Sequence, residues 1–143
     1  HPKAKLRAVT LYPGSKTQIG LVKQTLRLAG RTDVLVAGYN PNHPKQSVSP
    51  FHFKVVADIK DEEPDAPADE LIITTIKKYP DCVIISGGPP FNIAKALKTD
   101  ATLIIKQWVA QGGFVGSNIV PEEYQLPKFR GLKGCVSANW GST

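Results

Sequence analysis

The sequence predicts an α/β fold: an open, mostly parallel sheet with flanking helices. Three observations carry this expectation. Short apolar runs of strand length alternate with longer segments of helical periodicity. Gly and Pro fall between them, where turns are needed. A chain of 143 residues is expected to form one domain, and a chain of that size buries about 68–70% of its unfolded surface in a single core.

Lys5 to Tyr12 reads as a strand, stopped by Pro13-Gly14. Lys16 to Ala29 reads as an amphipathic helix, because Ile19, Val22, Leu26 and Ala29 recur on one face. The Ser15 hydroxyl is placed to accept from a first-turn amide as N-cap, and Gly30 is placed as the stop. Asp33 to Gly38 is a short buried strand. Residues 39–52 are expected to be a loop, since Pro41, Pro44 and Pro50 each remove a backbone donor. Phe53 to Ala57 is expected to be a short strand.

Seven of the twelve acids then follow within a short stretch: Asp58, Asp61, Glu62, Glu63, Asp65, Asp69 and Glu70. A calcium loop would need a central Gly, and none is present. The stretch is expected to be a solvated loop leading into a helix N-terminus, where the dipole favours negative charge. Ala68 to Tyr79 is predicted as that helix, with Ile72, Ile76 and Tyr79 together. Pro80 ends it, and Cys82 to Ser86 is a buried strand. Gly87-Gly88-Pro89-Pro90 forms a rigid turn before a helix from Phe91 to Leu97. A second helix is predicted over Ala101 to Ala110 from the spacing of Ile104, Ile105 and Trp108. Gly112 to Gly116 begins as a strand, residues 117–131 are loop-like, and Val136 opens a last strand.

Composition narrows the function classes. Apolar residues make up 41% and charged residues 21%, as in an ordinary globular domain. No apolar run approaches the ~18 residues a membrane span needs. A soluble chain is expected, with the cytoplasm the preferred compartment. Cys82 and Cys135, each in apolar context, are expected to be buried free thiols and not a disulfide framework or a zinc site. The net charge of +6 is dispersed, and its two small basic clusters (Lys3/Lys5/Arg7 and Lys128/Arg130/Lys133) lack interleaved aromatics. That disfavours nucleic acid as the partner. The chain has no Met and begins His1-Pro2, as a processed or trimmed chain would.

Three segments, in order, resemble the inosine-uridine-preferring nucleoside hydrolase family. Leu6-Arg7-Ala8-Val9-Thr10-Leu11, with the helix and Asp33-to-Gly38 strand that follow, is similar to the family's second strand, second helix and third strand. Ile85-Ser86-Gly87-Gly88-Pro89-Pro90-Phe91-Asn92 resembles its Gly-Pro-Leu-Thr-Asn turn. Gln111-Gly112-Gly113-Phe114, with Gly116-Ser117-Asn118-Ile119-Val120-Pro121, resembles its Gly-Gly strand and Gly-Asn-Val loop. The likeness covers most of residues 1–143 as one domain, with 39–67 as a loop-rich, insertion-like segment. It implies a Rossmann-like sheet, incomplete relative to the family fold. The implied absent first strand is central in the doubly wound order. Its loss is expected to leave two unpaired inner edges, to be completed by a partner chain, by a second copy or by rewired pairing.

The family cleaves the N-glycosidic bond of ribonucleosides. The resemblance implies calcium gripping the ribose hydroxyls and orienting an attacking water, with an Asp as base. The Asp-x-Asp-x-Gly-x-Asp-Asp cluster that holds the calcium is absent from this sequence. The remaining correspondences put Ser15 where the family has a ribose-binding Asn. Phe91 falls where a Thr carbonyl binds calcium, and Asn118 at a ribose-contacting Asn. Asn139 and Trp140 fall in the family's late sugar-binding stretch, where Gly141 replaces a ribose-binding Asn. Each has a plainer reading: Ser15 as a cap, the two Asn as loop or strand-end residues, Trp140 as a packing aromatic.

The expectation is therefore a nucleoside-hydrolase-like domain, non-catalytic alone, with a binding, structural or interaction role and no cofactor. The alternative is part of an active calcium-dependent nucleoside N-ribohydrolase. Expected partners are a nucleoside or other ribose-containing ligand and a second protein chain, with no membrane.

Overall fold

In the computed structural model, residues 4–44, 49–56, 58–111 and 121–124 are described. The elements in chain order are β1 (Ala8–Leu11), α1 (Lys16–Leu28), β2 (Leu35–Gly38), α2 (Pro50–Val55), α3 (Ala68–Lys78), β3 (Val83–Ser86), α4 (Phe91–Thr99) and β4 (Gln107–Ala110), with a short 3-10 turn at Glu122–Tyr124. The α/β class and the parallel pairing hold. The strands form two separate two-stranded parallel sheets, β1–β2 and β3–β4. The chain accordingly divides into two compact units. One contains β1, α1, β2, α2, α3 and α4; the other contains β3 and β4.

In the first unit, Ala8 pairs with Leu35 and Leu11 with Gly38. Successive strand residues face opposite sides. Ala37 joins Ala68 and Leu71 of α3, with Ala8 and Ala66 packed against them. Val36 therefore points to the other face, and it is fully buried, as is Ile19 of α1. Helices cover both faces of the pair, as a parallel sheet requires.

Helix α1 begins as the sequence predicts. The Ser15 side chain accepts from Gln18 N, and Gln18 Oε1 accepts from the backbone N–H groups of Gly14 and Ser15, a capping box. Gly30 adopts a positive φ of 65° just past its end. Gly14 and Gly38 press against each other. A Cβ on Gly38 would overlap the Gly14 carbonyl, and one on Gly14 would overlap the Gly38 Cα.

Two secondary-structure expectations are corrected. Phe53 to Ala57 is not a strand: Pro50–Val55 is a short helix. Ser49 caps it, accepting from Phe51 N at 3.3 Å. Pro50 occupies the first turn, where its missing N–H costs nothing, so this Pro opens a helix instead of breaking regular structure. Ala101 to Ala110 is not a helix either. Asp100 Oδ1 accepts from the Thr102 amide and hydroxyl, which makes a turn. Gln107–Ala110 then pairs with β3. The predicted stripe of Ile104, Ile105 and Trp108 does not act as one face: Ile104 is 74% exposed, Ile105 is half-buried, and Trp108 donates to Ser86 Oγ at 2.9 Å. Parallel pairing outweighs the helical spacing. Cys82 is half-buried instead of fully buried; Cys135 lies outside the described residues. So do the strands predicted over 112–116 and from Val136.

The acidic stretch is only partly the solvated loop expected. Asp69 and Glu70 do occupy the first turn of α3. The acids before them lie along α1 as a strap. Lys16 pairs with Glu63, Lys23 with Asp65 at 2.6 Å, and Arg27 with Glu62 at 2.6 Å. Glu62 N donates to Lys16 O at 3.2 Å. The strap seats on Gly20, where a Cβ would overlap the Lys60 carbonyl. It then closes the outer edge of β2: Asp65 N donates to Val36 O at 2.9 Å, and Asp65 Oδ2 accepts from Val36 N at 2.8 Å. Gly38 bridges Pro67 beyond it.

Several carboxyls sit below their ordinary range. Asp100 is held at about 2 by the Lys77 ammonium, with the Thr102 hydroxyl and amide adding to it. Arg27 holds Glu62 low, and Lys106 holds Asp81 low. A carboxyl whose folded pKa is depressed stabilises the fold fully above its unfolded value of about 4 and loses that contribution as pH falls through the folded value. The melting temperature is therefore expected to hold from neutral pH down to about 5, then to fall between about pH 4 and 2. Scanning calorimetry across that range checks this, and a flat profile would contradict it. The pairs are exposed, so each contributes modestly.

Candidate functional site

Ligands of open α/β sheets bind beyond the carboxyl ends of the strands. In the first unit those ends are built by two loops tied together. Tyr39 N donates to Leu11 O at 3.0 Å, Asn40 N to Pro13 O at 2.7 Å, and Lys16 N to Pro41 O at 3.2 Å. The Gly14–Gly38 contact is what lets the two loops approach so closely.

Two surfaces result. The first is aromatic. Tyr12 and Tyr39 are the residues immediately after β1 and β2, so parallel register makes them neighbours. Tyr12 stacks on Phe91 at 4.5 Å between centroids, and Tyr39 meets Tyr12 edge-on at 5.3 Å. Both tyrosines keep about 40% of their surface open. The Lys95 ammonium lies 5.7 Å from the Tyr39 ring. It also pairs with Asp69 at 3.0 Å, and Thr99 donates to the same carboxylate at 3.0 Å. Burial pushes Asp69 up, but Lys95 and Thr99 outweigh it and hold the carboxyl below its ordinary value. Asn92 is 6% exposed. Its Nδ2 donates to Leu11 O at 3.0 Å, while its buried Oδ1 has no hydrogen-bond partner among the described residues.

The second surface is a polar cleft of about 280 Å³ at the start of α1, lined by Ser15, Lys16, Thr17, Asn42, His43 and Asp61. Its carboxylate is oriented by one hydrogen bond, Asp61 Oδ1 accepting from Thr17 Oγ1 at 2.6 Å. The Asn42 amide, the His43 imidazole and the Asp61 carboxylate line the cleft as groups that can hydrogen-bond a polyhydroxylated ligand, while the Ser15 and Thr17 hydroxyls are engaged within the protein.

Of the residues singled out from sequence, Ser15 and Phe91 come to this end of the unit. Ser15 is 3% exposed and acts as the cap of α1 while lining the cleft. Phe91 is the first residue of α4, and its ring belongs to the aromatic surface. Asn118, Asn139 and Trp140 lie outside the described residues. No three His, Cys, Asp or Glu side chains converge to hold a metal among the described residues. The Phe91 carbonyl starts a helix, where it accepts within the helix. The described residues by themselves therefore do not fit a calcium ion, whose coordination needs six to eight converging oxygens.

Tyr12, Tyr39, Asn92, His43 and Asp61 were not picked out as site residues from sequence. The available signal was positional: a tyrosine directly after each of the first two strands.

No protein-family model matches the chain, and no curated protein or solved structure matches it. Among the described residues, no helix is long and apolar enough to cross a membrane.

Proposed function

We propose that the chain is a nucleoside-hydrolase-like domain that is not catalytic by itself. Its role is to bind a ribose-containing ligand at the carboxyl ends of β1 and β2, with strand edges left unpaired among the described residues as its interaction surface. One observation carries the ligand part: an open aromatic surface and a hydroxyl-bearing cleft occur together at that end. Rings stack on the first, and sugar hydroxyls pair in the second. The absence of the Asp-x-Asp-x-Gly-x-Asp-Asp cluster from the sequence supports the non-catalytic part of the reading. The cytoplasm is the proposed compartment.

The test is incubation with inosine and uridine, with and without calcium, while measuring ribose release and, by calorimetry, binding. No release is expected, and binding is expected to weaken about tenfold in Tyr39→Ala, the loss of about 1.4 kcal/mol. Calcium-dependent release abolished by a chelator would overturn the non-catalytic reading. It would establish instead part of a calcium-dependent nucleoside hydrolase. Absence of binding would remove the ligand.

A further inference from the structure

We propose that the strap from Asp58 to Pro67 is an ion-paired latch. It lifts from α1 and β2 as a unit while the rest of the first unit stays folded, and lifting takes one wall from the cleft at the start of α1. The coupling to the cleft rests on the ligand reading above and names what regulates that site. The latch itself stands on the geometry of the strap.

The strap combines a surface composition with an ordered set of fastenings. No residue from Asp58 to Pro67 is buried. Its apolar seat is small, with Ala66 packed against the Ala37, Ala68 and Leu71 cluster at one end. Among the described residues, a row of polar contacts from α1 holds the remainder. Lys16, Lys23 and Arg27 recur at i, i+7 and i+11, so one face of the helix presents a line of cations to the acids of the strap. Lys16 pairs with Glu63. Lys23 donates to Glu63 O at 2.9 Å and to Asp65 Oδ1 at 2.6 Å. Arg27 closes the row with two bonds to the Glu62 carboxylate, at 2.6 and 3.2 Å. Exposed pairs of this kind are individually weak and are screened by salt. A segment held by them, with little apolar area buried, opens at a lower free energy than the core beside it. The strap also begins at Asp58, whose φ of 58° is left-handed and costly for a residue with a Cβ. Lifting lets that residue relax.

Asp65 ties the latch to the sheet. Its Oδ1 takes the Lys23 ammonium while its Oδ2 accepts from Val36 N at 2.8 Å. Val36 is fully buried, yet its N–H is bonded to the strap and not to β1. Neighbouring residues of a parallel ladder turn their backbone groups to opposite sides. Tyr39 N donates to Leu11 O, so Ala37, two residues earlier, also turns its N–H to β1. Two adjacent amides of one strand thus report on two different structures, Val36 on the strap and Ala37 on the sheet. Nearer the start of the strap, Asp61 lines the cleft and accepts from Thr17 there. A strap that lifts carries Asp61 away. A ligand held by Asp61 therefore closes the latch, since linkage between two such equilibria is reciprocal.

Hydrogen exchange of the whole chain, followed by NMR at fixed pH as salt is raised from about 0.05 to about 1 M, tests the latch. The Val36, Glu62 and Asp65 amides are expected to quicken together, about tenfold, while those of Ala37, Ile72 and Ile76 hold. Arg27→Glu sets like charges against each other and is expected to quicken Val36 about tenfold at low salt. Adding Glu62→Arg is expected to restore the slow rate. Val36 and Ala37 exchanging alike at every salt concentration would overturn the proposal, and so would an Arg27→Glu that leaves Val36 unchanged. If Arg27→Glu loses its far-UV circular dichroism, the wild-type salt series decides alone. Inosine at about ten times its dissociation constant, bound only to the latched state, is expected to slow Val36 about tenfold. Inosine that binds by calorimetry without slowing Val36 overturns the coupling to the cleft. If inosine does not bind, the ligand reading fails, and the salt series still decides the latch.

Discussion

Gly38→Ala is expected to cost about 3 kcal/mol or more of folding stability, at the upper end for a single added methyl. The new Cβ has no free volume. It would overlap the Gly14 carbonyl oxygen and lie 3.1 Å from the Gly14 carbonyl carbon and Cα, all of them backbone atoms that no rotamer change can move. The loops after β1 and β2 must separate. Relief would then break the Tyr39–Leu11 and Asn40–Pro13 bonds together. Small domains have only about 5–15 kcal/mol in total, so the loss is a large fraction. Gly14→Ala should be worse, since Gly14 also has a φ of 75°. Gly30→Ala is the control: its φ is 65°, but among the described residues nothing lies within 4 Å of the new Cβ. It is expected to cost only the conformational ~1–2 kcal/mol. Urea denaturation midpoints of the three variants decide. A Gly38→Ala midpoint equal to wild type would show that the two loops do not meet as described.

Gly20→Ala is expected to destabilise by about 2 kcal/mol, although helix propensity alone predicts a gain of about 1 kcal/mol. Gly20 lies inside α1, where Ala is the better helix former. The Lys60 carbonyl occupies the space that the methyl needs, with its carbon 2.9 Å from the ideal Cβ. Lifting Lys60 pulls Glu62 from Lys16 O and strains the Arg27–Glu62 and Lys23–Asp65 pairs. Steric exclusion by backbone therefore decides the sign. The checks are the denaturation midpoint and hydrogen exchange at the Glu62 amide, which should quicken. A more stable Gly20→Ala would mean that the strap does not seat there.

What was legible in the sequence was local. Ser15 and Gly30 mark the ends of α1 because capping is a matter of a few neighbouring bonds. The strand pattern from Leu35 to Gly38 needs only its own apolar run. The failures were the non-local features. Residues 101–110 carry helical spacing, yet β3 supplies a ladder that no periodicity reveals. The acids after Asp58 look solvated until α1 is known to run beside them, because the pairs span 35 to 47 positions. The site divides in the same way. Ser15 and Phe91 reach it, but the stacking of Tyr12 on Phe91 joins residues that only the fold makes neighbours. Pro50 opens a helix because position within the first turn, not residue type, determines what Pro does.

The closure of β2 by Asp65 has a consequence for assembly size. A sheet with two open edges can add subunits without limit and grow into a fibre, while a sheet with one stops when that edge is used. In the first unit the Asp65 carboxylate and backbone N–H, with the Gly38–Pro67 bridge, stand in for the neighbouring strand that would otherwise be needed. The charge of that carboxylate, further fixed by Lys23, makes that side of the sheet a chain terminator. The strap from Asp65 to Pro67 therefore denies this side of the sheet to any further strand while it is seated.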